Sequence, residues 1–207
     1  LNMMNVSYGV LGADESCCGE TARRLGEESL GQMLTEANIE LFSELGVKKI
    51  VTICPHCFNT FKNEYPDFGG NYEVIHHSQL LSQWVENNPV FPDELTLDRI
   101  VVHDSCYMGR VNGEYDAPRR IIRSIKGLVP VEPEKTGPQA MCCGAGGGMF
   151  WMEEHGDRVN HARFDQLRQT GSENVAVSCP YCLIMLSDAA KDKQVDAEVR
   201  VQDISEI

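Results

Sequence analysis

The sequence lacks the features that would point to a membrane span or a nucleic-acid partner. No apolar run approaches the roughly 18 uninterrupted residues that a membrane span requires. The 18 lysine and arginine residues are scattered among 31 aspartate and glutamate residues, and the formal net charge is −13. Because nucleic-acid binding depends on clustered positive charge, we expect no nucleic-acid partner and no membrane span in this sequence.

A secretion signal is also missing, since no basic segment is followed by an apolar segment and a small-residue cleavage site. We therefore expect a cytoplasmic, reducing compartment, in which cysteines stay free or bind metals. Nine of the 207 residues are cysteines. A chain of this length buries an adequate core without disulfides, so the cysteines require another explanation.

The cysteines belong to an internal repeat. A shift of 125 positions superimposes two cysteine motifs without a gap between them. The aligned residues are Cys17, Cys18, Gly19, Cys54, Pro55 and Cys57 in the first copy and Cys142, Cys143, Gly144, Cys179, Pro180 and Cys182 in the second. A repeat of this period indicates a duplicated domain. The counterpart of Cys106 would lie before Leu1, so we expect the sequence to begin inside its first domain.

Each copy has the pattern of alternating helices and strands. Apolar residues at spacings of three and four predict a helix over residues 29–45, ended by Gly46. Strands are predicted at 47–53 and 72–77, and again at 98–106 and 199–207. Helices are predicted to begin at Pro55 and after an N-cap at Ser78. This alternation predicts an α/β fold with parallel sheets, in two domains at residues 1–90 and 98–207 joined by a proline-containing linker at 88–96.

Two of the possible roles for the cysteines involve disulfides. A disulfide framework is disfavoured, because adjacent cysteines bridge poorly and the cysteine count is odd. The segments Cys54–Cys57 and Cys179–Cys182 look like the dithiols of thioredoxin-like oxidoreductases. Only 25 residues follow Cys182, fewer than such a fold needs, and the adjacent cysteine pairs have no role in it. A thiol–disulfide oxidoreductase is therefore kept as an alternative.

A bound metal accounts for more of the pattern. The second copy offers five thiols, one more than a tetrahedral zinc ion binds. Thiolate is the usual protein ligand of iron clusters, so the donor count favours an iron–sulfur cluster. A structural zinc site in an interaction module stays open, also because heterologous expression can place zinc in iron sites. The candidate ligands are Cys106, Cys142, Cys143, Cys179 and Cys182 in the second copy and Cys17, Cys18, Cys54 and Cys57 in the first.

The segment after Cys143 contains four glycines within five residues. Among them, Gly144, Gly146 and Gly147 are candidate cofactor-binding residues, because glycine lets the backbone approach a cluster and direct its N–H groups at sulfur.

Other side chains next to the cysteines are candidates for weaker roles. His103 and Asp104, just before Cys106, could supply a proton or a hydrogen bond to a cluster sulfur, although a turn at a strand end explains them equally well. His56 and Tyr181 lie inside the two C-x-x-C motifs, where side chains tune a redox site.

These motifs carry a family resemblance. Cys106, the segment Cys142–Gly144 and the segment Cys179–Cys182 resemble the cysteine-rich CCG domain of heterodisulfide reductase B and D subunits. The segments CPHCFNTFKNEYPDFGG and VIHHSQLL are most similar to fused iron–sulfur oxidoreductases that pass electrons from electron-transfer flavoprotein towards quinone. The resemblance covers essentially the whole chain.

The resemblance implies a fold, a cofactor and partners. It implies two tandem Rossmann-like domains related by duplication, with a noncubane [4Fe–4S] cluster on the five cysteines of the second copy. The first copy would hold a second cluster without its first cysteine. Electrons would arrive from a flavoprotein or from a ferredoxin-like domain upstream, and would leave to a disulfide or a quinone. Other regions or partners would attach the protein to the cytoplasmic face of a membrane.

Overall fold

Strands and helices alternate along the chain. A computed structural model describes residues 1–88, 97–153 and 155–207, so most of the predicted linker lies outside the described residues. The first half contains α1 (Glu20–Arg24), α2 (Glu28–Glu44), β1 (Lys49–Thr52), α3 (Pro55–Asn59), β2 (Glu73–His76) and α4 (His77–Val85). The second half contains β3 (Arg99–Val102), α5 (Asp116–Ser124), β4 (Val129–Val131), α6 (Val159–Arg168), β5 (Asn174–Val177), α7 (Pro180–Asp192) and β6 (Arg200–Asp203). Within these ranges, no helix is long and apolar enough to cross a membrane.

The helix boundaries follow local sequence signals. Gly46, just beyond α2, adopts a φ of 66°, a left-handed conformation that glycine tolerates at helix ends. Pro55 and Pro180 occupy the first turns of α3 and α7, where the missing N–H has no helical partner to lose. The predicted N-cap at Ser78 is wrong, because the His76 ring caps α4 and accepts a hydrogen bond from the Ser78 backbone.

Among the described residues, all strand pairs are parallel. β1 pairs with β2, and a second sheet has the strand order β4-β3-β5-β6. Parallel strands connected by helices confirm the predicted α/β class. The division into two duplicated Rossmann-like domains, at residues 1–90 and 98–207, stays a prediction.

The four-stranded sheet is covered on both faces. Along β3, Val101 packs with α6 and α7, whereas Ile100 and Val102 pack with α4 and α5. This alternation follows from the two-residue period of a strand. Because neither face meets solvent, the strand interior consists of apolar residues, which is typical of buried parallel strands.

Helix α4 links the two halves of the chain. Although α4 precedes residue 90, its Val85 belongs to the same core cluster as Ile100 of β3 and Ile122 of α5. At the other end of α4, His77 Nε2 lies 2.9 Å from Asp203 Oδ1 at the end of β6. The first half therefore packs directly against the second sheet.

The contact between His77 and Asp203 predicts a pH-dependent loss of stability. Burial disfavours the Asp203 carboxylate, but its hydrogen bond with His77 keeps the pKa of Asp203 below its ordinary value. Since the folded-state pKa is lowered, the carboxylate stabilises the fold above its unfolded-state pKa of about 3.9, and this contribution disappears as the pH falls through the folded-state pKa. Asp203→Asn retains the N-cap and should lower the unfolding free energy by roughly 1–2 kcal/mol at pH 7.

Urea unfolding at several pH values checks this prediction. The difference in unfolding free energy between wild type and Asp203→Asn should shrink below about pH 4. Asp188→Asn is the control, because Asp188 pairs with Arg158 at the surface, and such pairs contribute about 0–1 kcal/mol. A deficit of constant size from pH 7 to pH 3 would show that the charge of Asp203 is not its cause.

Candidate metal centre

Three strand ends deliver cysteines to the same region. Cys54 follows β1 and is the N-cap of α3, and Cys179 follows β5 and is the N-cap of α7. Cys106 lies four residues after the end of β3. Parallel strands end at the same edge of a sheet, so side chains that leave these ends converge. The two adjacent cysteine pairs reach this edge from the loops before α1 and α6.

Each C-x-x-C motif contacts the adjacent pair of its own half. The Sγ atoms are 3.4 Å apart in Cys18 and Cys57, 3.9 Å apart in Cys106 and Cys142, and 3.3 Å apart in Cys143 and Cys182. All nine cysteines are free thiols, so the structure contains no disulfide framework. Two thiolates that bind one metal ion at about 2.3 Å each lie about 3.8 Å apart. The observed contacts therefore have a spacing suited to shared metal binding.

One contact joins the two cysteine sets. The thiols of Cys54 and Cys179, from different halves, lie close enough to change each other's pKa: Cys179 lowers the pKa of Cys54, and Cys54 raises that of Cys179. Through this contact the thiols form an unbroken series, which we call the sulfur series. Its order is Cys17, Cys18, Cys57, Cys54, Cys179, Cys182, Cys143, Cys142 and Cys106. The structure thus brings all nine predicted ligands into one region.

Several thiols of the sulfur series are acidic. Contacts with Cys17 and Cys57 lower the pKa of Cys18 to about 4. The contact with Cys106 lowers the pKa of Cys142 far below its usual range, and the same contact raises the pKa of Cys106. Because thiolates are the form of cysteine that binds metals, the series contains anionic ligands at neutral pH.

The predicted glycines differ in their surroundings. The Gly144 N–H donates to Cys142 Sγ at 3.3 Å, and its φ is 96°. A Cβ at this position would lie 3.1 Å from Val159, whereas nothing lies within 4 Å of the corresponding point on Gly146 or Gly147. The sulfur contact and the left-handed backbone therefore coincide at Gly144.

His103 and Asp104 have different environments. A ring nitrogen of His103 lies within 4.8 Å of the sulfur atoms of Cys143 and Cys182. The oxygens of Asp104 accept hydrogen bonds from Arg119 at 2.7 and 3.0 Å and from the Gly137 N–H at 2.7 Å. Burial disfavours the Asp104 carboxylate, but these hydrogen bonds keep its pKa below the usual range. An ionised, fully engaged Asp104 anchors the strand end, and His103 is the candidate nearer to sulfur.

Sequence analysis missed Arg163, whose side chain is completely buried. Its Nε donates to His103 Nδ1 at 3.1 Å, and its Nη1 donates to the Lys135 carbonyl and to Gln166 Oε1. Nη2 has no hydrogen-bond partner among the described residues. Arg163 lies four residues before Leu167, on the same face of α6. This spacing was the available signal that Arg163 points inward.

A small cleft lies beside both C-x-x-C motifs. The His56 ring stacks on Tyr107 at 4.1 Å between centroids, and His56 Nδ1 lies 3.2 Å from Glu20 Oε1. Burial disfavours the charged form of His56, but Glu20 outweighs it and raises the pKa of His56. Sequence analysis missed Glu20, although it directly follows the first Cys-Cys-Gly segment. The lining residues are Glu20, Thr21, His56, Ala145, Gly147, Gly148, Phe150, Trp151 and Tyr181.

The arrangement of cysteines agrees with a known family. A profile of the CCG cysteine-rich domain matches residues 1–62 and 100–187, well over half of the chain. The chain belongs to the CCG cysteine-rich domain family. This membership confirms the resemblance inferred from the cysteine motifs.

Relatives of this CCG chain include larger redox proteins. It is 47% identical over 208 residues to the probable iron-sulfur-binding oxidoreductase FadF of Bacillus subtilis, covering 100% of the chain and 30% of the relative. It is 42% identical over 215 residues to the EtfAB:quinone oxidoreductase of Syntrophomonas wolfei, covering 100% of the chain and 30% of the relative. It is 37% identical over 215 residues to a probable membrane-anchored ferredoxin of Chromohalobacter salexigens, covering 100% of the chain and 32% of the relative. The chain thus spans about a third of the length of these relatives.

More distant relatives include heterodisulfide reductases. The chain is 29% identical over 214 residues to a dihydromethanophenazine:CoB--CoM heterodisulfide reductase polypeptide of Methanosarcina barkeri, covering 100% of the chain and 52% of the relative. The resemblance to heterodisulfide reductases that the cysteine motifs indicated is therefore confirmed.

A glycine substitution tests how the Cys142 thiolate is held. Gly144→Ala places a side chain on a left-handed backbone, which costs about 1–3 kcal/mol, and it pushes against Val159. We expect a corresponding loss of unfolding free energy and faster thiol labelling of Cys142, both measured on the reduced, metal-free chain. Gly146→Ala is the matched control, because its Cβ meets open space. Equal effects of the two substitutions would contradict a specific role of Gly144.

Proposed function

We propose that the chain is the electron-transfer module of an iron–sulfur oxidoreductase, which passes electrons between a flavoprotein or ferredoxin-type donor and a disulfide or quinone acceptor. The observation that carries this proposal is the sulfur series. The series contains more closely spaced thiols than the four ligands of one tetrahedral metal ion. This number suits a cluster of several iron atoms. Relatives named as iron–sulfur-binding and quinone oxidoreductases support the same function.

In this proposal the two cysteine sets have separate roles. The second set holds a noncubane [4Fe–4S] cluster, and the first set is a further binding site. When bound, such a cluster supplies reversible one-electron storage. The ligands are Cys106, Cys142, Cys143, Cys179 and Cys182 in the second set and Cys17, Cys18, Cys54 and Cys57 in the first.

The residues around the second set fit an anionic group. The Gly144 N–H already donates to a ligand sulfur. Helix α7 begins directly after Cys179, so its N-terminal dipole favours negative charge there. Arg163 adds a buried positive charge, and the burial of Cys143 and Cys182 excludes water. A low dielectric around the sulfur atoms strengthens each of these interactions.

The cleft beside the C-x-x-C motifs is the proposed face for electron exchange. Its aromatic wall includes Tyr181, which lies between two ligand cysteines, and Trp151, which is 67% exposed. His56 and Glu20 also line the cleft, and His56 Nδ1 lies 3.2 Å from Glu20 Oε1. A donor or acceptor that docks over this cleft would approach the ligands of both cysteine sets.

Further partners and the location of the protein are also part of the proposal. The relatives are longer than this chain, and one of them is named a probable membrane-anchored ferredoxin. We propose an upstream ferredoxin-like domain in the same or another chain, a flavoprotein partner, and a cytoplasmic location at the face of a membrane.

A zinc-binding interaction module is the second candidate. His103, Cys143 and Cys182 offer ligand atoms within 4.8 Å of one another, and zinc accepts such a mixed set of nitrogen and sulfur donors. Zinc would leave several thiols of the sulfur series unused. A thioredoxin-like dithiol is less well supported, because Cys57 and Cys182 contact the adjacent pairs at 3.4 and 3.3 Å.

Anaerobic purification tests the proposed function. We expect a coloured protein with iron and acid-labile sulfide and an EPR signal in one redox state. Cys142→Ser should abolish the signal of the second set, because it removes the thiolate that bonds to both Cys106 and Gly144.

Cys17→Ser is the matched variant, since Cys17 occupies the equivalent position of the first copy and is exposed. Retention of the second-set signal in Cys17→Ser is expected. A colourless wild-type protein that contains zinc and no sulfide would contradict the proposal and favour the interaction module.

A further inference from the structure

Arg163 is a buried charge that has no carboxylate partner among the described residues. It is completely buried, and its described hydrogen bonds go to neutral groups, namely a histidine ring, a backbone carbonyl and a glutamine oxygen. The nearby carboxylate of Asp104 is already engaged by Arg119. Arginine stays protonated in proteins, and a buried charge is costly unless an opposite charge compensates it.

Two sulfur groups of the second cysteine set lie near Arg163, in addition to Asp104. Burial lowers the pKa of Arg163, and Asp104, Cys182 and Cys142 act in the opposite direction. Nη2 is buried without a hydrogen-bond partner among the described residues. The guanidinium therefore lies in the field of the second cysteine set and keeps one donor unused.

Arg163 also determines how His103 presents its protons. Because the Arg163 Nε–H donates to His103 Nδ1 at 3.1 Å, Nδ1 must carry a lone pair. In the neutral ring the proton then resides on Nε2. Nε2 is buried and has no hydrogen-bond partner in the described part of the chain. A ring nitrogen of His103 lies within 4.8 Å of Cys143 and Cys182 Sγ, so sulfur is the nearby acceptor class.

The first copy lacks this charge. The 125-residue shift places Arg163 on Asn38, which is also buried in the equivalent helix but is neutral. Asn38 donates to the Cys17 carbonyl at 2.9 Å and to Tyr65 Oη at 3.0 Å. Beside the first set, His56 Nδ1 lies 3.2 Å from Glu20 Oε1. The two cysteine sets therefore differ by one buried arginine.

We propose that Arg163 is the built-in counter-charge of the second cysteine set and fixes His103 as an N–H donor to its sulfur atoms, so that this set has the higher reduction potential of the two. This inference rests on the proposed function, since it concerns the cluster bound by the second set. A nearby cation and N–H···S hydrogen bonds stabilise the more negative, reduced form of a cluster. Because the Arg163 charge and the His103 N–H raise its reduction potential, the second set is the site at which electrons collect.

A redox titration monitored by EPR on the anaerobically purified protein tests the role of Arg163. Arg163→Gln should reduce the ratio of reduced to oxidised cluster at fixed potential by about tenfold or more, which is about 59 mV for a one-electron couple. Arg168→Gln is the matched control, because it removes one positive charge from the same helix at an exposed position. Equal potentials in these two variants would overturn the inference.

Two further variants separate the charge from the hydrogen bond. Arg163→Lys keeps the positive charge but lacks the planar guanidinium that donates to His103. Its reduction potential should therefore lie between those of wild type and Arg163→Gln. His103→Leu removes the N–H donor and leaves Arg163 in place, and its potential should also fall. If Arg163→Gln fails to fold or to bind iron, the reduction potentials of Arg163→Lys and His103→Leu test the inference instead. Wild-type potentials in both variants would overturn it.

Pulsed EPR of the reduced protein with ¹⁵N-labelled histidine tests the orientation of His103. A weak nitrogen coupling and a solvent-exchangeable proton, both absent in His103→Leu, are expected. A strong coupling from a nitrogen bound directly to iron would make His103 a ligand and overturn the inference. A wild-type protein without an iron–sulfur signal overturns the proposed function itself, whereas a normal signal with unchanged potentials overturns the role of Arg163 alone.

Discussion

The convergence of sulfur at the carboxyl edge of the parallel sheets is the constraint on which the rest of the structure depends. Strand ends deliver Cys54, Cys106 and Cys179 to one region, and the contact between Cys54 and Cys179 joins both halves of the chain there. Helix α4, which precedes residue 90, packs on the second sheet. The same packing that buries the apolar core therefore holds two cysteine motifs that are far apart in the sequence next to each other.

Burying so many ionisable groups requires compensation within the site. Isolated charges in a protein interior cost several kcal/mol, and here each charged group has a partner or a sulfur neighbour. Arg119 holds Asp104, Glu20 holds His56, and Arg163 lies near the sulfur groups of Cys182 and Cys142. The thiol groups themselves share protons along the sulfur series. A metal cluster would replace those protons with cations, which explains how a fold can keep nine close thiols without disulfides.

Much of the arrangement could be predicted from the sequence because it depends on local signals. The 125-residue shift identified the ligand candidates, and Pro55, Pro180 and Gly46 marked helix ends that the structure places within a few residues. The contact between Cys54 and Cys179 could not be predicted, because it depends on how the halves pack. Glu20 was missed for a related reason: a charged residue on a helix ordinarily faces solvent, and tertiary packing turns this one inward. Arg163 was missed because its charge outweighed the spacing that places it on the same face of α6 as Leu167. His76 displaced Ser78 as N-cap because its ring also reaches the Ile53 carbonyl.

Anomalous diffraction at the iron edge from anaerobically grown crystals would locate the metal atoms. We expect several iron peaks within bonding distance of Cys106, Cys142, Cys143, Cys179 and Cys182, on the side of the site near Arg163 and His103. A single peak with tetrahedral ligands that appears at the zinc edge and is absent at the iron edge would contradict the proposed iron–sulfur cluster.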